Sequence, residues 1–408
     1  MNRVSLILLV LCSPAITVAD ESSSKTVDRS TLTGKVMCGY QGWFNCEGDG
    51  ADLGWEHWAK NRRRPLAPKN ATIDLWPDMT EYSADERFET GFKHADGRSA
   101  EVFSSANRET VMRHFRWMQD YGIDGAFVQR FVVSQARPEF LSHQNKVLSH
   151  ARDGAKQSGR ALAVMYDLSG LGAGEVQRAQ ADWRTIQTEM KVVADDAYLR
   201  HNGRPVVAVW GIGFNDNRKY SLDECLTLVQ WLRSEGCAVM VGVPAFWREM
   251  RRDAVADEKL HEIIRTADII SPWSVGRYGT PEQAKRHADE VWAKDRQWCQ
   301  SEKLDFLPVV FPGFSWHNVT GGELDAIPRL KGKFLWSQFT AAKHVGCNMI
   351  YVAMFDEVDE GTAIFKCTND PPVGDGVRFL TYEGLPSDHY LKLVGKAGKL
   401  LRDEIQIE

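Results

Sequence analysis

Eight short apolar runs, at 36–44, 125–131, 161–168, 205–211, 238–243, 268–273, 306–311 and 348–355, limit what this chain can fold into more than any other feature. Several are apolar almost throughout, as in Val206-Val207-Ala208-Val209 and Met349-Ile350-Tyr351-Val352-Ala353-Met354. A half-exposed antiparallel strand alternates polar with apolar residues, whereas a parallel strand covered on both faces is apolar without a break. Between the runs lie helical patterns. Val111, Phe115 and Met118 stand at i, i+4 and i+7, and Leu335, Phe339 and Ala342 repeat that spacing. Further helices are expected over 139–157, 176–194, 223–235, 258–266, 281–299 and 387–403, the last opening on Ser387-Asp388 as N-cap and acidic first turn. Eight strand–helix units in series predict an α/β chain folded as a single (β/α)8 TIM barrel over 20–408. An open doubly wound sheet usually needs fewer strands and often a Gly-rich first turn, and no G-x-G-x-x-G follows the first run.

The first residues read as an export signal. Asn2-Arg3 is a short positive start, 4–11 is apolar but for Ser5, and Thr17-Val18-Ala19 offers small residues where a signal peptidase cuts. A leader over 1–19 and a secreted or periplasmic mature chain are therefore expected. Cys12 follows Leu11, where lipid attachment wants a small residue. No later stretch approaches the ~20 apolar residues that span a bilayer, so no membrane partner is expected. Disorder is excluded by a 43% hydrophobic composition. The balance of 50 Lys+Arg against 55 Asp+Glu argues against a nucleic-acid partner, and Arg62-Arg63-Arg64 reads as a solvated loop. Cys38, Cys46, Cys225, Cys237, Cys299, Cys347 and Cys367 remain beyond the leader, an odd set without Cys-x-x-Cys spacing.

Two connections are far longer than a barrel loop requires: 45–106 after strand one and 356–386 after strand eight. Both fall on the C-terminal face, where barrels build their sites, and strands one and eight are neighbours on closure. Cys46 and Cys367, one in each loop, are the expected disulfide. The second loop opens Phe355-Asp356-Glu357-Val358-Asp359-Glu360-Gly361-Thr362, with four carboxylates in five positions directly after a buried strand. Paired carboxylates suit glycoside hydrolysis, where one protonates the leaving oxygen and another supplies a base or nucleophile. The alternatives are a solvated acidic loop or a calcium site.

Other strand ends supply polar and aromatic groups: Tyr40, Gln41 and Trp43; Gln129 and Arg130; Tyr166 and Asp167; Trp210; Trp247 and Arg248; Trp273 with Tyr278 beyond it; Trp316 and His317. Aromatic faces stack on the C–H faces of sugars and the polar groups bond hydroxyls, so these residues are the expected substrate contacts. A single tryptophan is more often a packing residue; it is the recurrence that points to carbohydrate. Competing chemistries lack their parts, with no G-x-S-x-G, H-E-x-x-H or H-x-H. No cofactor or resident metal is expected. His57, His94 and His143 read as surface groups. Asn70-Ala71-Thr72 and Asn318-Val319-Thr320 are glycosylation sequons.

Three segments carry a resemblance: Gly39-Tyr40-Gln41-Gly42-Trp43-Phe44, Leu75-Trp76-Pro77-Asp78-Met79-Thr80-Glu81-Tyr82, and the acidic segment 355–362. Together they resemble the glycoside hydrolase family 71/99-like proteins, closest to the family 99 branch of endo-α-mannosidases and endo-α-mannanases, over nearly the whole mature chain. The resemblance implies a (β/α)8 barrel acting on an oligosaccharide or polysaccharide. It implies two catalytic glutamates in Glu-x-x-Glu-Gly-Thr, matched by Glu357 and Glu360. The implied reaction is retaining and substrate-assisted, with Glu357 taking the proton of the sugar 2-hydroxyl and Glu360 acting as general acid, then base. The intervening Val358 and Asp359 depart from the aromatic and histidine of characterised enzymes. A non-catalytic carbohydrate-binding or calcium-dependent barrel, or a xylosidase/arabinosidase-like specificity, is the alternative.

Overall fold

The computed structural model describes residues 26–406; the expected leader over 1–19 lies outside the described residues. Eight parallel strands follow the eight runs: β1 (Val36–Tyr40), β2 (Gly125–Phe131), β3 (Ala161–Asp167), β4 (Arg204–Trp210), β5 (Ala238–Pro244), β6 (Ile269–Trp273), β7 in two pieces (Asp305–Phe306 and Val309–Val310) and β8 (Ile350–Val352). Each pairs with its successor, and β8 pairs with β1 through Val36–Ile350 and Met37–Tyr351. The circle closes through β7, whose first piece pairs with β6 and whose second pairs with β8. Pro308 lies between the pieces. It has no N–H to give to a ladder, and the strand changes neighbours there: Leu307 N donates to Ile270 O, and Tyr351 N donates to Pro308 O.

Helices α1 (Arg108–Asp120), α2 (Pro138–Ser158), α3 (Arg178–Thr188), α4 (Leu222–Ser234), α5 (Lys259–Thr266), α6 (Pro281–His287, a π-helical turn Ala288–Trp292, then Ala293–Ser301), α7 (Lys333–His344) and α8 (His389–Leu401) alternate with the strands. Their apolar stripes lie inward: Val111, Phe115 and Met118 of α1 and Leu335, Phe339 and Ala342 of α7 are buried. Local chemistry sets the ends. The Asn107 side chain accepts from Glu109 N to start α1, and Ser221 and Glu224 form a reciprocal capping box on α4. Asp388 occupies the N-cap of α8 without capping it. Its carboxylate instead accepts from the Tyr121 hydroxyl and pairs with Lys392. The helix expected over 176–194 ends early, where Lys191 turns to φ 53° ahead of a short 3-10 turn.

The two long loops pack on each other over the barrel. The first contains an antiparallel hairpin, Phe88–Lys93 with Ser99–Val102. Single bridges join Pro77 to Cys367 and Lys93 to Val373. Trp76, Phe92 and Phe379 meet edge to face at 5.4–5.7 Å, a geometry that aromatic quadrupoles favour. Trp55, Trp58 and Trp76 are buried, and these loop tryptophans extend the barrel's hydrophobic core into the first loop. The expected disulfide is corrected. Cys46 is held by its thiol donating to Phe103 O, while Cys367 sits opposite Pro77, and all seven described cysteines are free thiols. Both sequon amides are engaged as well: Asn318 Nδ2 donates to Ile73 O and Arg378 O, and Asn70 Nδ2 to Pro65 O. Among the described residues no helix is long and apolar enough to cross a membrane.

Candidate active site

The acidic segment leaves β8 and is fixed to β1 at once. Phe355 N donates to Gly39 O, and the Asp356 carboxylate accepts Gln41 N at 2.8 Å and Gly42 N at 2.9 Å. A turn over 358–361 follows, with Gly361 at φ 62°, a conformation that favours glycine. Its backbone is tied down on both sides. Asp74 N and Leu75 N donate to Val358 O, and Ser315 N donates to Glu360 O at 2.9 Å. The Asp74 carboxylate, wholly buried, accepts from Ser315 Oγ, His317 N and Asn318 N. One side chain thus fastens the first loop, the Ser315–Asn318 turn and the acidic turn together.

Glu357 is buried and accepts two hydrogen bonds, from Gln41 Nε2 at 2.5 Å and Thr362 Oγ1 at 2.6 Å. Burial, then the charges of Glu360 and Asp359, push its carboxyl well above the usual range. Burial, with the charges of Asp359 and Asp167, pushes Glu360 up to about 8. Asp356 is pushed up to about 7 by burial, against the pull of its two backbone donors. Like charges gathered out of water cannot all ionise near neutral pH, so the cluster keeps protons there. The donors on Glu357 favour its charged form. Two coupled carboxyls that share protons near neutral pH can divide the work of base and acid between them.

The structure divides the expected contacts by the pleat. Successive strand residues face opposite sides. Gln41, Gln129, Asp167, Trp210 and Trp273 gather with Glu357 and Glu360 around Tyr351: Gln129 Nε2 donates to Tyr351 Oη at 3.2 Å, and Trp210 meets Trp273 edge-on at 5.3 Å. Tyr351 crosses to this side because Gly39 leaves room; a Cβ on Gly39 would lie 2.0 Å from its hydroxyl. Their neighbours turn into the helix layer. Tyr40 bonds His114 of α1, while Arg130 and Tyr166 converge on Asp182 of α3. Trp247 packs on His261 and Trp298, Arg248 pairs with Asp295, and the Tyr278 hydroxyl donates to Gln338 of α7. These six are built into packing or buried ion pairs. Trp43 stacks on His57 and Phe131. Trp316, 42% exposed, follows Ser315 at the rim of the acidic turn, and His317 opens the short helix behind it.

Asp359, His57, Asp74, Tyr351 and Thr362 join the site without having been singled out as contacts. Thr362 and Asp359 stood in the acidic motif; the others have no local signature. Nor are the histidines surface groups throughout. His143 is buried with Nε2 at Gly42 O and is driven down to about 4 by burial, and His57 meets Asp359 at 3.2 Å. Several buried polar atoms here have no hydrogen-bond partner: Gln41 Oε1, Gln129 Oε1, Asp359 Oδ1 and Trp210 Nε1. They suit a ligand rich in hydroxyls. Among the described residues no group of three or more His, Cys, Asp or Glu side chains is arranged to hold a metal ion.

No family model matches this sequence, and no curated protein matches it. Solved structures do match. The glycoside hydrolase family 99 endo-α-mannosidase of Bacteroides thetaiotaomicron, known also with bis-tris propane bound, superposes with a TM-score of 0.61 at 16% identity, covering 91% of this chain and 99% of that one. A glycoside hydrolase-like protein superposes with a TM-score of 0.52 at 14% identity, covering 80% of this chain and 93% of that one. The chain shares its barrel fold with these proteins.

Proposed function

We propose that the protein is a glycoside hydrolase acting with retention on α-linked, mannose-configured glycans, and that export carries it to a secreted or periplasmic site. The observation that carries this reading is the acid pair itself: Glu357, braced by two donors, and Glu360, raised to about 8, three positions apart on one turn at the barrel mouth. The shared fold with an endo-α-mannosidase is what favours mannose configuration. Glu357 takes the proton of the 2-hydroxyl while its oxygen attacks the anomeric carbon. Glu360 gives its proton to the departing glycosidic oxygen, and a 1,2-anhydro sugar forms. Water then attacks the anomeric carbon from the opened face and loses its proton to Glu360, while O2 recovers its proton from Glu357. Two inversions leave the configuration unchanged. Gln129, Asp167, Trp210 and Trp273 are the proposed sugar contacts, with Trp43, Trp316 and His317 at the rim.

The test is sugar release from a panel of α-mannans and α-glucans by the wild type and by Glu360→Gln. The expected result is release by the wild type on an α-mannan and its loss in the variant. Equal release by both would overturn the assignment of Glu360.

A further inference from the structure

The acidic turn carries a carboxylate that the proposed chemistry does not use. Asp359 stands between the two glutamates, 7% exposed, and its Oδ2 lies 3.2 Å from His57 Nδ1 while its Oδ1 has no partner. His57 comes from the first loop, some 300 residues away, and everything about it is constrained. Its ring lies flat on Trp43, with centroids 3.6 Å apart and planes 7° from parallel. Phe44 meets its edge at 6.1 Å, and the Thr72 hydroxyl donates to its carbonyl. Its backbone sits at φ 60°, a left-handed conformation that a non-glycine residue keeps only when its surroundings impose it.

We propose that His57 is a positioning residue for the acid pair: it holds Asp359 turned toward the first loop, leaving the two glutamates to face the substrate. The inference rests on the reading of Glu357 and Glu360 given above. Without the imidazole, the Asp359 carboxylate is free to turn toward its neighbours on the same turn, and a carboxylate beside a protonated carboxyl shares the proton. Held by His57, it acts on them only through its charge, which raises Asp356, Glu357 and Glu360 alike. The other titratable groups facing this corner are Asp167 from β3, whose charge acts on Glu360, and His143 from α2, which feels His57.

The two halves of the pair therefore have opposite effects on Glu360. Asp359→Asn removes a negative charge, so Glu360 loses its proton at lower pH. His57→Ala frees Asp359 to share that proton, so Glu360 loses it at higher pH. His57→Asn keeps a donor at the position of Nδ1 and a residue that tolerates positive φ, so it retains the wild-type profile. The alkaline limb of kcat/KM on an α-mannan is expected to move down by about half a unit or more in Asp359→Asn and up by a similar amount in His57→Ala. His57→Ala should also lower kcat about 10–100-fold with little change in KM. Titration of 13C-labelled glutamate carboxyls in the same variants reads Glu360 with no substrate present, so the inference stands or falls even if α-mannan is not turned over. Shifts of the same sign in both variants, or a His57→Asn profile as displaced as that of His57→Ala, would overturn it. Absent turnover by the wild type, together with opposite carboxyl shifts, would instead count against the glycosidase reading alone.

Discussion

Buried and half-buried acids at the two ends of this barrel are treated in opposite ways. On the N-terminal face, Asp124 ahead of β2 accepts Val36 N and pairs with Arg402 at 3.3 Å, and Asp268 ahead of β6 accepts Val239 N and pairs with Arg204 and Arg233. Each is a backbone clamp with a cation beside it. On the C-terminal face, Asp356 and Glu357 are held by neutral donors, and the charges that act on Glu357 and Glu360 are other carboxylates. Among the described residues no Lys or Arg forms an ion pair with Asp356, Glu357 or Glu360. One end spends its acids on stability. The other accepts electrostatic stress and so keeps protons available near neutral pH.

Exchanging or removing groups at either end sharpens that contrast. The largest effect belongs to the mouth: Glu357→Gln and Glu360→Gln should each lower kcat/KM about 10²–10⁴-fold. Neither should lower the Tm, because each replaces a carboxyl raised by burial and by like-charged neighbours with a neutral amide. A Tm drop as large as the activity loss, read by calorimetry, would mean the glutamates are structural. At the opposite end, Asp124→Ala should cost about 2–4 kcal/mol in denaturant unfolding, since Val36 N and Arg402 lose a shared partner. Its kcat should stay near wild type. Gly39→Ala tests the wall between the two ends. A Cβ 2.0 Å from Tyr351 Oη forces the ring to move, and the expected cost is about 1–3 kcal/mol together with weaker substrate binding.

The same contrast extends to the pH dependence of stability. Glu360 and Asp356, at about 8 and about 7, bind protons more tightly folded than unfolded. Their contribution is complete below the unfolded values near 4 and is lost as pH rises through 7–8. Tm should therefore fall between pH 5 and pH 8, and Glu360→Gln should flatten part of that fall. An unchanged slope in the variant would place the proton elsewhere.

Much of this was legible in the runs themselves. Continuous apolar stretches such as 206–209, short and rich in β-branched residues, read as strands covered on both faces, and eight of them alternating with helical patterns favour a closed barrel over an open sheet. The acidic motif was legible because it followed a buried strand directly. What could not be read was the phase of the pleat. Tyr40 and Gln41, Gln129 and Arg130, and Tyr166 and Asp167 are adjacent pairs with equally polar tips, yet in each pair one member enters the barrel and the other meets α1 or α3. Asp74 and His57 were invisible for another reason. Their roles exist only once a loop of some sixty residues has folded back over the β8 turn, and nothing in their neighbours in sequence announces it.

The most direct test of the central claim is the anomeric configuration of the first product, followed by 1H NMR during hydrolysis of an α-mannan. Substrate-assisted retention through Glu357 and Glu360 predicts that the α-anomer appears first and mutarotates afterwards. A β-anomer appearing first would contradict it, because a single displacement by water would then be the chemistry of this site.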